Sequence, residues 1–196
     1  MSSGTALHSE ERVRKKLLIS ADDYQRMGAA GIFTDKPRVE LIDGEIYTMS
    51  PFTPSHNAHV DKASRFFNFN EALSDKILVR TQGSIRLDDY SELEPDLTVL
   101  RFRQDFYKDR QPTADAIYLV IEVAVHSLAT DRTVKLEKYA ASAIPEYWIV
   151  IPEKEMVEVY RKPGDGIYLE KNTYQKTDEW RFQAFDLPMQ GSDLLI

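Results

Sequence analysis

AIYLVIEVAV, residues 116–125, and EYWIVI, residues 146–151, decide the fold of this chain. The first run is long, β-branched and almost wholly apolar, the composition of a central strand covered on both faces. Between the two, residues 128–143 read as a helix, and Pro145 cannot lie inside it, so the second run begins a new buried strand. Strand, helix, strand in this order requires a crossover and makes the two strands parallel or near-parallel neighbours.

Working outward, three short strands are expected before this unit, at 77–81, 84–87 and 96–101, separated by Gly83 and by the polar stretch DDYSELEP, read as a turn. Further upstream, Ala58, Ala63, Phe66, Phe67 and Leu73 recur at helical spacing and predict a helix over 55–73. Asp43-Gly44 between RVELI and EIYTM is a two-residue hairpin signal, since both turn positions favour positive φ. Ser20 followed by Asp22 and Asp23 reads as the N-cap and acidic first turn of a short helix ending near Gly28 to Gly31. After residue 151 the chain reads as a β meander with a hairpin at 164–166. The fold class is therefore α/β, mixed α+β. Residues 1–16 are expected to be a flexible arm and 17–196 one domain, with no repeat or linker to divide it.

Composition narrows the function. The 196 residues are 42% hydrophobic and 29% charged with 8 Gly and 9 Pro, the profile of a folded globular chain. No apolar stretch approaches a membrane span and MSSGTALHSEERVRKK lacks the apolar segment of a signal peptide, so a cytoplasmic location is expected. Without cysteine there is no disulfide or thiolate site, and four histidines supply nitrogen ligands thinly, so a metal would be held mainly by oxygen. A net charge of −7 argues against coating nucleic acid through a broad basic surface, and leaves open a local groove built from Arg80, Arg86, Arg101, Arg103, Lys108 and Arg110.

The sharpest anomaly is Glu122, a carboxylate within IYLVIEVAV. Its period-2 companions are Tyr118, Val120 and Ala124, so an ionised Glu122 there needs a buried cation, a retained proton or a bound metal. Glu94-Pro95-Asp96 puts Asp96 at the start of a strand, where the alternative is an ordinary loop-to-strand cap. Asp131 and Lys135 have i,i+4 spacing, which an exposed helix salt bridge would also explain, and Glu40 in the first hairpin strand could equally belong to its polar face. Together these residues offer two or three oxygen donors for Mg²⁺ beside an ammonium group, the equipment of phosphodiester hydrolysis. A serine-hydrolase reading of His126-Ser127 fails, because no G-x-S-x-G elbow surrounds Ser127 and adjacent strand residues point to opposite sides.

EPD at 94–96, IEVAVHSLATDRTVKLEKYAASAIPEYWIV at 121–150 and VELIDGEI from Val39 resemble the Uma-two family of restriction-endonuclease-like proteins, within the PD-(D/E)xK nuclease superfamily. The resemblance runs over about residues 22–187. It implies a restriction-endonuclease-like αβββαβ core, a divalent metal, Mg²⁺ with Mn²⁺ as a substitute, and hydrolysis of DNA phosphodiester bonds. By position it implies Asp96 and Glu122 as metal carboxylates, Glu40 as a further acid and the Val123 carbonyl as another metal ligand. Ala124 stands where the superfamily has lysine, and the family's D-x-x-x-K block, here Asp131 to Lys135, implies that Lys135 acts on the attacking water from the following helix. Lys138 is the fallback. His56 matches a histidine that opens the family's second helix, and is read as a helix-start hydrogen-bonding residue rather than a metal ligand. A homodimer is expected, with the C-terminal meander as its interface. Two rivals stand beside the endonuclease: a catalytically inactive binding protein of the same fold, and a hydrolase of small phosphoesters.

Overall fold

The computed structural model describes residues 15–196. Of the arm expected at 1–16, only Lys15 and Lys16 fall within the described residues; both are exposed, and Lys16 pairs with Glu45 at 2.7 Å. In chain order the elements are α1 Ala21–Ala29, β1 Val39–Ile42, β2 Glu45–Thr48, α2 Pro54–Asn68, β3 Ile77–Thr81, β4 Ile85–Asp88, β5 Ser91–Leu93, β6 Leu97–Arg101 and β7 Ile117–Val123. A continuous helical run follows, α3 Leu128–Thr130, a π-helical turn at Asp131–Lys135 and α4 Leu136–Ala141. The remainder is β8 Glu146–Ile151, β9 Met156–Gly164, β10 Ile167–Gln175, β11 Glu179–Phe182 and β12 Leu187–Gln190.

Local chemistry sets the boundaries. The Ser20 hydroxyl caps α1 by accepting from Asp23 N–H, and Thr53 caps α2 with Pro54 in its first turn, where a missing N–H costs nothing. Asp43 and Gly44 both have positive φ, 51° and 77°, as the two-residue hairpin between β1 and β2 requires. β7 lies inside a six-stranded sheet ordered β10-β9-β8-β7-β6-β3, antiparallel to β6 and parallel to β8, as the crossover demands. A second sheet, β2-β1-β5-β4, is four-stranded, and β11 and β12 form a separate hairpin.

The stretch DDYSELEP is not wholly a turn: Ser91, Glu92 and Leu93 form the buried strand β5, paired with β1 and β4. Its polar composition hid it, since Ser91 spends its hydroxyl on Asp43 N–H and Glu92 is met by Gln25.

The two faces of β7 feed two cores. Leu119, Ile121 and Val123 pack with Phe67 of α2, Trp148, and Trp180 and Phe182 of the terminal hairpin. Val120 and Ala124 lie on the other face with Tyr139, Tyr147, Ile149, Ile85 and Leu93. Glu122 shares that second face, enclosed by the four-stranded sheet and the helical run. Among the described residues no helix is long and apolar enough to cross a membrane.

Candidate active site

The site is built where β7 ends and β6 begins. Glu122 is 3% exposed, and its Oε1 accepts from Lys135 Nζ at 2.9 Å and from Tyr139 Oη at 2.8 Å. Lys135, 6% exposed, also lies 3.7 Å from Glu40 Oε2. The lysine absent at position 124 is thus replaced in space by one from the helical run, reaching back over the strand end. Glu40 is not on a polar strand face: all four residues of β1 are buried. Nor is Asp131–Lys135 an exposed pair, because both side chains are buried. Lys138 is absent from the cluster; it pairs with Asp43 in the hairpin turn and lies 3.7 Å from Asp88.

Asp96 is fixed on both oxygens. Oδ2 accepts from the Val123 backbone N–H at 2.8 Å, and Oδ1 lies 2.9 Å from His56 Nε2. The Asp96 N–H in turn donates to Glu122 Oε2 at 3.4 Å, so each carboxylate is held by a backbone N–H beside the other. The Val123 carbonyl accepts from Val125 N–H at 3.2 Å. His56 is a buried hydrogen-bonding residue in the first turn of α2, its own N–H donating to the Thr53 hydroxyl.

Asp131 completes the group. Its Oδ2 accepts from the Ser127 hydroxyl, which gives that serine a holding task, and Tyr147 Oη donates to the Asp131 carbonyl at 3.1 Å. Four buried carboxylates, Glu40, Asp96, Glu122 and Asp131, therefore face one buried lysine and one histidine. The electrostatics follow from that imbalance. Burial pushes the Glu122 carboxyl well above its usual range against the attraction of Lys135, and pushes Asp131 up to about 6. Burial alone would lower Lys135, but the Glu122, Glu40 and Asp131 carboxylates outweigh it and hold the ammonium charged. His56 likewise is raised: burial opposes its charge and the Asp96 carboxylate prevails.

These groups line a cavity of about 170 Å³, walled by Pro51, Phe52 and Thr53 on one side and by Val125, His126 and Ser127 on the other. None of the six cations proposed as a basic groove lines it. Arg86 is engaged by Asp22 and Asp89, Arg103 by Asp105, and Arg101 by the Asp115 carbonyl and Tyr118.

Among the described residues no three His, Asp or Glu side chains converge as a ready-made metal cage. The donor set nevertheless suits a hard divalent cation. All its members are oxygens, negative charge is in excess, and two buried oxygens, Glu40 Oε2 and Asp131 Oδ1, have no hydrogen-bond partner. Mg²⁺ commonly takes one or two carboxylates and leaves its remaining positions to water and phosphate. Asp96 and Glu122 supply two carboxylates here, and the unpartnered oxygens of Glu40 and Asp131 lie in the same cavity.

Sequence reasoning named Glu40, Asp96, Glu122 and Lys135, and all four lie in this cavity. It missed Tyr139, the Asp131–Ser127 contact and the Phe52 wall. Tyr139 lies four residues after Lys135, a same-face spacing that could have identified it.

The family model described as "Uma2: Putative restriction endonuclease" matches residues 21–190. A crystal structure from Anabaena variabilis ATCC 29413, described as a putative nuclease belonging to DUF820, superposes with a TM-score of 0.62 at 17% identity, covering 81% of this chain and 89% of that one. At that identity the likeness is one of fold. No curated protein sequence matches the chain.

Proposed function

The chain belongs to the Uma2 family, and on that premise we propose that it is a metal-dependent nuclease hydrolysing phosphodiester bonds in DNA. Family and fold support nuclease function in general. The single observation that carries the chemistry is the Lys135–Glu122 contact at 2.9 Å, which puts an ammonium group beside the two strand-end carboxylates although position 124 is alanine. Asp96 and Glu122 would hold Mg²⁺, with the Val123 carbonyl as a further ligand and Glu40 beside Lys135. Bound there, the ion would supply Lewis-acid polarisation of the phosphate and a more acidic water. Lys135, kept charged by its three carboxylates, orients the attacking water and stabilises the charge that develops on the phosphoryl oxygens. It is not the proton acceptor. Water forms the new P–O bond as the P–O bond to the leaving strand breaks; the water's proton passes to solvent through the cavity mouth, and the leaving oxygen takes up a proton from solvent.

A site without its lysine would favour an inactive binding protein of the same fold, and the Lys135–Glu122 contact speaks against that reading. A second reading, a small-phosphoester hydrolase, is favoured by one observation: none of the basic series lines the cavity. The experiment is Mn²⁺- or Mg²⁺-dependent cleavage of plasmid and oligonucleotide DNA beside a small phosphodiester, for wild type, Asp96→Ala and Lys135→Ala. DNA cleavage lost in both variants supports the nuclease; turnover of the small ester alone selects the second reading. We propose a cytoplasmic location. We also propose a homodimer formed through the meander, whose edge strand β10 exposes Ile167 and Leu169. A monomer by light scattering at micromolar concentration would remove that assignment.

A further inference from the structure

Glu94, two residues before Asp96 in the same EPD motif, has no part in the chemistry above, yet it is tied to it by a short train of contacts. Its carboxylate accepts from Arg38, Nη2 at 2.5 Å and Nε at 3.2 Å. The Arg38 guanidinium sits 4.2 Å from the centroid of the Phe52 ring. Phe52 stacks on the His56 imidazole, with centroids 4.9 Å apart and planes 26° apart. His56 closes the train on Asp96 Oδ1 at 2.9 Å. Phe52 immediately precedes the α2 cap Thr53, a position whose apolar side chain ordinarily packs on the helix's fourth residue. Here that fourth residue is Asn57, and Phe52 stacks instead on His56. The aromatic ring therefore fixes an imidazole that reaches a carboxylate of the site.

We propose, resting on the metal-site reading above, that Phe52 and Arg38 are positioning residues that lock the His56 ring so that Asp96 presents its carboxylate to a divalent cation. Glu94 and Asp96 anchor the two ends of this train, and Pro95 between them limits how far those ends can move independently. Aromatic stacking and a guanidinium over a ring each restrain a side chain without offering a ligand. The device acts through orientation, as partners behind metal ligands do, and their loss costs about ten- to a hundredfold in metal affinity.

The test is Mn²⁺ affinity by calorimetry on the full chain, with thermal unfolding measured beside it. Phe52→Ala and His56→Ala are each expected to weaken Mn²⁺ binding by about tenfold to a hundredfold, and Phe52→Tyr, which keeps the ring, to restore it. The double variant Phe52→Ala/His56→Ala should bind no more weakly than His56→Ala alone, because the two act through one contact. Arg103→Ala, at a surface pair away from the cavity, controls for substitution as such. Wild-type affinity in Phe52→Ala, or full additivity in the double variant, overturns the inference while leaving the metal site standing. Weakened binding that merely tracks a fall in unfolding temperature, and is not rescued by Phe52→Tyr, also overturns it. A wild-type protein that binds no Mn²⁺, with or without DNA, overturns both the inference and the reading on which it rests.

Discussion

Replacing Glu122 with glutamine separates a functional carboxylate from a structural ion pair, because the two readings predict stability changes of different size. At 2.9 Å from Lys135, an ionised Glu122 gains about 6 kcal/mol of attraction at an effective dielectric near 20. Against this stand the cost of burying a carboxylate, several kcal/mol, and its repulsion from Asp96 and Asp131. In Glu122→Gln the amide oxygen can still accept from Lys135 and Tyr139, and only the weak bond from Asp96 N–H, 3.4 Å long, is lost outright. Two buried carboxylates, Glu40 and Asp131, then face Lys135 instead of three, so the terms nearly cancel and the net change should fall within about 1–2 kcal/mol of zero. Were the pair purely structural, breaking it would cost about 3–5 kcal/mol, lowering the unfolding temperature of a domain of this size by about 6–20 °C. The assay is thermal unfolding by circular dichroism at neutral pH without metal, with Mn²⁺ calorimetry on the same samples. The expected pair of results is an unfolding temperature within a few degrees of wild type and loss of metal binding. A drop of 10 °C or more with metal affinity intact would refute the reasoning.

Other outcomes follow from neighbouring contacts. Lys135→Met strips the only lysine from among Glu40, Glu122 and Asp131 and should destabilise by about 3–5 kcal/mol while abolishing cleavage, read by denaturant unfolding and a nicking assay. Lys138→Ala should leave cleavage within about twofold of wild type, because its ammonium is spent on Asp43 in the hairpin turn; a loss above tenfold would restore it as a site residue. Acid should weaken the anchorage of the π turn. Burial would raise Glu158, but hydrogen bonds from Arg132, Lys171 and Tyr160 outweigh it and hold the carboxyl down at about 2. A group depressed from its unfolded value near 4.5 stabilises fully above that value and loses its contribution as pH falls through about 2. Glu158→Gln should therefore cost about 1–2 kcal/mol at pH 7, allowing for solvent screening, and only a small fraction of that at pH 2, as judged from paired unfolding curves.

Most of the scaffold was legible because its signals are local. Asp43-Gly44 carries its own turn chemistry, the 116–125 run its own burial, and Pro145 its own helix stop. β5 was not legible, because Ser91 and Glu92 are buried by partners 48 and 67 residues away, which no local pattern reports. The same distinction holds at the site. Glu122 betrays itself as a charge in an apolar strand, whereas Glu40 looks like any alternating strand residue until the second sheet closes over it. Phe52 and Arg38 carry no local signal at all, since a ring and a guanidinium 14 residues apart meet only when the β1–β2 hairpin brings the chain back to α2.

The π turn explains how a lysine can move from strand to helix without leaving the site. Asp131, Lys135 and Tyr139 are spaced four and four, and all three point inward. An α-helix advances 100° per residue, so eight residues would carry Tyr139 about 80° around from Asp131. A π turn, closed by i→i+5 bonds, advances less per residue, and placing it over Asp131–Lys135 offsets most of that drift. One wall of the helical run can then hold the carboxylate, the ammonium and the phenol against the end of β7. The turn is an unfavourable helix geometry, and Arg132 within it is clamped by two hydrogen bonds to Glu158 of β9. A tether to the sheet at the point of strain is what an inserted residue needs if Lys135 is to stand where Ala124 offers nothing.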